Sequence, residues 1–471
     1  MEFHSLLSLY NPWWSDSAWQ VGGVRREIFD ALFASIETNN YVTVLKGARQ
    51  GGKTFVIRQC ISVLLQRGCS AQNIFYFLLD DPDLAKYIEQ HPDEFANFLR
   101  NEAKTRGKLF VFFDEFQKVA DITKLVKLFY ESSANLKFVL TGSSSLLIAD
   151  KISESLLGRT ETFLLYPFSF KEFVSTTAGS WPFSFPLETC SEPMWNFLKD
   201  PAAGFKEVQE HYAQYHFAYH HFAAQLLPRY LLTGGYPQAA LATTSQNAFL
   251  RLKEIKQAYL EKDLISLLRI EKLKEFDHCI QILALQSGNL IQYTDLQSAV
   301  GVNYQTIKQF LNILEATYWW SPLRVYSTNK ISSIKKMPKA YFNDLGARNF
   351  LASTFDQAQL EKEKGALAEN FVYLQLVKFN QYRRQGLENL SFWRSPDGNE
   401  IDFIFESARE ILPIEVKFQK AQQLKIQPGF QIFLKKMGLQ QAVVVSDQLL
   451  EMRQMNGSQV FVIPLVLWGM L

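Results

Sequence analysis

Gly47-Ala48-Arg49-Gln50-Gly51-Gly52-Lys53-Thr54 follows the apolar run YVTVLK and opens the stretch TFVIRQCISVLLQRG. The spacing is G-x-x-x-x-G-K-[ST], a loop whose backbone amides close around phosphates at the positive end of a helix. Lys53 is placed to reach the β- and γ-phosphates of ATP, and the Thr54 hydroxyl to bind Mg2+. Further on, LFVFFDE ends in Asp114 and Glu115. A buried strand would carry Asp114 toward the magnesium, and Glu115 would polarise the attacking water. The stretch KFVLTGSSS, residues 137–145, ends in small hydroxyls. Ser143 or Ser144 is the candidate for sensing the γ-phosphate, with a plain strand-end turn as the alternative.

A second chemistry is written in NEIDFIFESAREILPIEVKF, residues 399–418. Two apolar strands joined by a polar turn are expected there. In PIEVKF, alternation puts Glu415 and Lys417 on one face. A buried strand carrying both is costly unless both bind something. Asp402 falls on the neighbouring strand, so Asp402 and Glu415 are candidates to share a divalent cation while Lys417 orients or activates water. Asp, a gap, then Glu-x-Lys is the PD-(D/E)xK nuclease pattern. The upstream helix GALAENFVYLQLVKF supplies Glu369, which matches the acidic residue on the first helix of that fold and would join the metal ligands. The Pro396-Asp397 pair lies in a turn ahead of the strand and is no part of the pattern. Such a module either cuts DNA or binds it, and branched DNA is a plausible substrate because relatives of the fold include Holliday-junction resolvases.

The elements that must hold these residues can be read around them. VTVL is β-branched and apolar, as a buried parallel strand should be. NIFYFLL, residues 73–79, reads as another strand between the two phosphate-site motifs. An inserted strand with the extra Glu115 is the pattern of the AAA+/STAND side of the P-loop proteins. Residues 277–327 read as helix–turn–helix followed by wing strands in WWSPLRVYS, a winged-helix layout that serves either DNA binding or packing within ATPases. From Ala316 to Asn343 no acidic residue occurs, while Arg324, Lys330, Lys335, Lys336 and Lys339 are basic. That run is a candidate phosphate-contacting patch. LKEIKQAYLEKDLISLLRI, residues 252–270, is expected to be one helix. In HYAQYHFAYHHF, His216 and His220 share a helix face, but a packed amphipathic helix is the default over a metal site.

After KFVLTGSSS the chain resembles bacterial and archaeal AAA-type P-loop ATPases, of the AAA_14 kind, that carry a C-terminal DUF4143-type nuclease-like module. The residues that carry the likeness are Gly158-Arg159, the turn Pro167-Phe168-Ser169-Phe170-Lys171-Glu172-Phe173, GGYP at 234–237 and KAYFNDLGARN at 339–349. They occur in the expected order over nearly the whole chain. The resemblance implies that Arg159 is either an arginine finger reaching a neighbour's nucleotide, within a homo-oligomer such as a ring, or a structural arginine closing its strand.

The bulk numbers set bounds. A chain of 471 residues is too long for one core. With a net charge of +2, any nucleic-acid surface must be local. The scattered Cys60, Cys69, Cys190 and Cys279 form no Cys-x-x-Cys pair and suit a reducing cytoplasm. The C-terminal VFVIPLVLWGML is too short to span a bilayer and reads as a buried strand. The expected fold class is α/β: an AAA+/ASCE P-loop core over 1–175, a helical lid or insertion over 176–272, a winged helix over 273–335 and a restriction-nuclease-like domain over 336–471. The expected activity is ATP-driven action on DNA. The alternatives are a STAND-like switch that binds a protein and a nuclease gated by ATP.

Overall fold

The computed structural model describes residues 3–132, 135–143, 156–259, 264, 272–327, 329, 331, 333, 336–407, 410–418, 426, 428–455 and 457–471. The chain divides into two compact units, Met1–Tyr166 with Ala316–Tyr318, and Pro167–Glu315 with Trp319–Leu471. Among the described residues no helix is long and apolar enough to cross a membrane.

In the first unit, β1 (Val42–Gly47), β2 (Ile74–Leu78), β3 (Leu109–Asp114), β4 (Leu136–Gly142) and β5 (Thr160–Leu165) form one sheet in the order β2-β3-β4-β1-β5. Its ladders are parallel. A parallel sheet is covered on both faces, so its central strands are largely apolar. Five of the six β3 residues are apolar, and all six are buried. Phe113 lies between Phe77 and Phe138, with ring centroids 5.3 and 6.0 Å away. The stretch NIFYFLL supplies β2, which sits at the sheet edge; the strand lying between β1 and β3 is β4. That order brings the end of β4 between the loop after β1 and the acids that end β3.

The second compact unit begins at the turn Pro167–Phe173. The turn is fastened within this unit. Ser169 and Glu172 close a capping box on the helix Phe170–Ser175. The Phe168 carbonyl accepts from the Tyr230 hydroxyl at 2.6 Å and from Lys378 Nζ at 2.9 Å, and the Phe168 amide donates to Gly235 O at 2.7 Å. The DLGARN stretch packs here too: a Cβ on Gly346 would lie 2.0 Å from the Thr233 carbonyl oxygen, which explains the glycine there.

Helices Leu273–Leu285, Tyr293–Val300 and Tyr304–Ala316 precede β6 (Trp320–Leu323). The expected pair of strands within WWSPLRVYS is not formed. β6 pairs antiparallel with β7 (Lys339–Phe342), so a boundary at 335 would cut through a ladder. The reason is burial: all four β7 residues are inside, and KAYF offers β6 the apolar partner that the polar sequence after Val325 lacks. The segment expected as a helix over 252–270 is described as helix over Ser245–Ala258, and most of its remainder lies outside the described residues.

A six-stranded mixed sheet completes this unit. Its strands are β8 (Asn389–Arg394), β9 (Glu400–Glu406), β10 (Ile411–Lys417), β11 (Gln441–Ser446), β12 (Glu451–Met455) and β13 (Ser458–Pro464), in the order β12-β13-β11-β10-β9-β8. β10, β11 and β13 run parallel in its centre. The C-terminal apolar run is β13 followed by the short helix Leu465–Trp468. The helix Gln357–Arg383, started by an Asp356/Gln359 capping box, packs against β10 and β7.

Candidate functional site

The loop after β1 brings the phosphate-motif residues to one place. A Cβ on Gly47 would fall 2.3 Å from the Leu165 carbonyl oxygen, so only glycine lets β1 turn beside β5. Ala48 is buried, and its carbonyl accepts from the Gly51 amide at 3.1 Å. Gln50 and Gly52 take φ of 59° and 101° on either side of Gly51. Such alternation turns successive amides into an anion-binding concavity. Arg26, buried in the segment before β1, bonds Gly51 O at 3.0 Å and Tyr166 O at 2.6 Å and so braces the loop.

Lys53 is buried at the start of the helix Lys53–Gln66. Its Nζ donates to Gly47 O and Ala48 O at 3.0 and 3.1 Å and stands 3.6 Å from Glu115 Oε1. Asp114, also buried, accepts from the hydroxyls of Thr54 and Tyr76, each at 2.6 Å, and from that of Thr141. Glu115 follows with φ 58°, an uncommon conformation for a residue with a side chain. Its Oε2 accepts from Gln117 Nε2 at 2.5 Å and Ser143 Oγ at 3.1 Å. Burial pushes the Glu115 carboxyl up. The Lys53 ammonium, the Gln117 amide, the Arg49 guanidinium and the Ser143 hydroxyl outweigh it and hold the group below the usual carboxylate range. Ser144 lies outside the described residues. Arg159 is set apart from this cluster, at the head of β5, where its guanidinium pairs with Glu131 at 2.8 Å.

Tyr76, Thr141, Gln117 and Arg26 were not visible as site residues. Tyr76 is the one hydroxyl in an apolar strand, and Gln117 lies two residues past Glu115; both were readable hints. Nothing local marks Thr141 or Arg26, which reach the site only through the sheet order and the chain's return.

The second group of predicted residues converges on the face shared by β9, β10 and the helix Gln357–Arg383. Lys417 Nζ lies 2.6 Å from Glu415 Oε1, as strand alternation requires. Asp402 Oδ2 accepts from the Val416 amide at 2.8 Å. Glu369 Oε1 accepts from the Tyr341 hydroxyl and from Lys339 Nζ, the latter at 3.0 Å. Lys339 is the unexpected member. Read from sequence as part of the basic patch, its side chain is instead 2% exposed and sits 2.5 Å from Glu400 Oε1 and 3.7 Å from Asp402 Oδ1. Burial would lower its pKa, but Glu369, Asp402 and Glu400 outweigh burial and raise it, so the ammonium stays charged. Among the described residues no group of three or more His, Cys, Asp or Glu is arranged to hold a metal ion. Of the remaining patch, Arg324 and Lys336 are exposed, whereas Lys330 and Lys335 lie outside the described residues.

Burial, with the nearby Asp402 charge next, pushes the Glu369 carboxyl up to about 7 and the Glu415 carboxyl up to about 8.

Comparison with known proteins matches three segments of the chain. Residues 39–174 match the family described as AAA domain, so an AAA-type, ATPase-like domain holds the first site. Residues 224–358 match a domain of unknown function, DUF8612, and residues 364–468 another, DUF4143. The chain is 22% identical over 405 residues to an uncharacterized protein of Haemophilus influenzae, covering 84% of this chain and 87% of that one. It is 26% identical over 386 residues to an uncharacterized protein of Methanocaldococcus jannaschii, covering 80% and 74%. AMPPCP-bound DnaA from Aquifex aeolicus is 13% identical, with 63% of this chain and 89% of that chain covered at a TM-score of 0.27. C. elegans PCH-2 is 12% identical, with 41% and 47% covered at a TM-score of 0.23.

A group whose pKa rises on folding favours the folded state at pH below its unfolded value, and that contribution is lost as pH climbs through the folded value. In chelator, the unfolding free energy is therefore expected to fall between about pH 5 and about pH 9. Glu415→Gln should flatten the fall, because glutamine carries no proton to lose. Denaturant unfolding at several pH values checks this, and equal slopes in both proteins would assign the dependence elsewhere.

Proposed function

We propose that this chain is an ATP-hydrolysing machine that acts on DNA, cytoplasmic and homo-oligomeric, with the C-terminal module serving as its nuclease-like DNA-binding part. The observation that carries the reading is the meeting of Lys53, Thr54, Asp114, Glu115 and Ser143 at the ends of three adjacent strands. Lys53 now donates to two carbonyls of its own loop, and an incoming nucleotide would exchange those for β- and γ-phosphate oxygens. The loop Gly47, Ala48, Arg49, Gln50, Gly51 and Gly52 would wrap the phosphates with its amides. Mg2+, which neutralises phosphate charge, would be held by Thr54 and Asp114; the hydroxyls of Tyr76 and Thr141 would keep Asp114 aimed. Glu115 would orient the attacking water once it exchanges Gln117 and Ser143 for that water, and Ser143 would register whether the γ-phosphate is present.

DNA is the favoured partner because of the three-helix segment before β6, read as a winged helix. On the helix Tyr304–Ala316, Tyr304, Gln305, Lys308, Gln309, Asn312 and Glu315 are exposed, so the face carries one acid, at its C-terminal end. Amide side chains on an exposed helix face suit base edges, and Lys308, Arg324 and Lys336 suit phosphates. Branched DNA remains the substrate of choice on the resemblance of the C-terminal module.

Lys53→Ala should abolish ATP hydrolysis, and Glu115→Gln should keep nucleotide binding while slowing turnover by roughly a hundred-fold or more. Duplex, forked or four-way DNA should stimulate the wild-type rate. Turnover indifferent to every DNA would favour the protein-binding switch instead.

Replacing Arg324 and Lys336 together with alanine should weaken DNA binding similarly for all sequences. The slope of log affinity against log salt should shrink by about 2, one counterion per lost phosphate contact. An unchanged slope in fluorescence anisotropy titrations would remove these residues from the DNA surface.

Arg159 is proposed to reach a neighbour's nucleotide. Its pairing with Glu131 is partly exposed, and such pairs contribute only about 0–1 kcal/mol, so the guanidinium can be released. Mixing inactive Arg159→Ala and Lys53→Ala proteins should restore some hydrolysis, at interfaces that join an intact pocket to an intact arginine. No recovery, with both variants still assembling, would make Arg159 structural.

A further inference from the structure

The carboxylates Glu369, Asp402 and Glu415 have the residue types of a divalent-metal site, yet an ammonium already lies among them. Lys339 Nζ is 3.0 Å from Glu369 Oε1, 3.7 Å from Asp402 Oδ1 and 2.5 Å from Glu400 Oε1. The Phe392 ring covers it, with the centroid 5.6 Å from Nζ. Other donors claim further ligand atoms. Asp402 Oδ2 takes the Val416 amide, and Glu415 Oε1 takes Lys417. Mg2+ or Mn2+ needs several oxygens at about 2.0–2.2 Å around one centre. Here that centre would press against a buried positive charge, so the residues present do not fit a resident metal. One carboxyl oxygen of the cluster, Glu415 Oε2, is buried with no hydrogen-bond partner among the described residues.

The origin of the ammonium adds to this. All four carboxylates fall within the 364–468 match, whereas Lys339 comes from β7, in the 224–358 match. We infer that Lys339 is a built-in cation standing where a divalent metal would otherwise sit, so that the cluster is a latent metal site, closed while β7 keeps its lysine in place. This inference is independent of the ATPase and DNA readings. It predicts a gain of binding, which simple damage to a protein does not produce.

The test titrates nucleotide-free, full-length protein with Mn2+, following free Mn2+ by electron paramagnetic resonance and stability by thermal unfolding. Wild type and Glu415→Gln should bind Mn2+ identically, since the cluster takes none. Lys339→Met, which keeps the length of the side chain and drops its charge, should gain one site, and Mn2+ should raise its Tm. The gain should vanish in Lys339→Met/Glu415→Gln. A wild-type site that Glu415→Gln removes would overturn the inference, as would folded Lys339→Met that gains nothing. Should Lys339→Met fail to fold, Lys339→Gln takes its place, and the wild-type comparison with Glu415→Gln decides on its own: identity supports the built-in cation, and a difference refutes it.

Discussion

A carboxylate removed from water must be met by donors or by positive charge, and both units are arranged around that requirement. Leaving such a group unmet costs several kcal/mol, roughly the whole stability of a domain. In the first unit the answer is mainly hydroxyls. Asp114 is ringed by Thr54, Tyr76 and Thr141, drawn from a helix and from the strands on either side of β3. In the second unit the answer is lysine: Lys417 beside Glu415, and Lys339 among Glu369, Glu400 and Asp402. A neutral shell leaves the first acid free to change partners. A charged shell ties the second group down.

The sheet order is what makes the hydroxyl shell possible. With β4 between β1 and β3, Thr141 and Ser143 reach the two acids, and Tyr76 approaches from β2. The left-handed backbone at Glu115 then sets its carboxylate against Gln117, Ser143 and Lys53. Strain of this kind, about 1–3 kcal/mol, persists only where surrounding bonds enforce it, and here three partners do.

Much of this was legible in the sequence, for identifiable reasons. The phosphate loop is a local pattern: eight consecutive residues fix both its backbone and its chemistry, so no tertiary information was needed. Glu415 and Lys417 were likewise readable, because alternation on one strand decides that they meet. Tyr76 and Thr141 were not, since their role depends on which strands lie side by side. The wing strands were misplaced for the same reason: β6 finds its partner at 339–342, beyond the span in which a hairpin was sought. Lys339 shows the limit most sharply. A lysine in an acid-free stretch reads as a surface base, yet the charges that determine its position are brought in by the helix Gln357–Arg383 and by β9.

That same lysine bears on how such a protein can be recombined. The segment 364–468 recurs as a recognisable family, but it contains the carboxylates without the ammonium that balances them. Grafted onto another chain by gene fusion, it would arrive with an electrostatic debt that the new host must settle with a proton, a metal or a lysine of its own. Carried together with β7, the segment would bring its own balancing charge and place no such demand on the host.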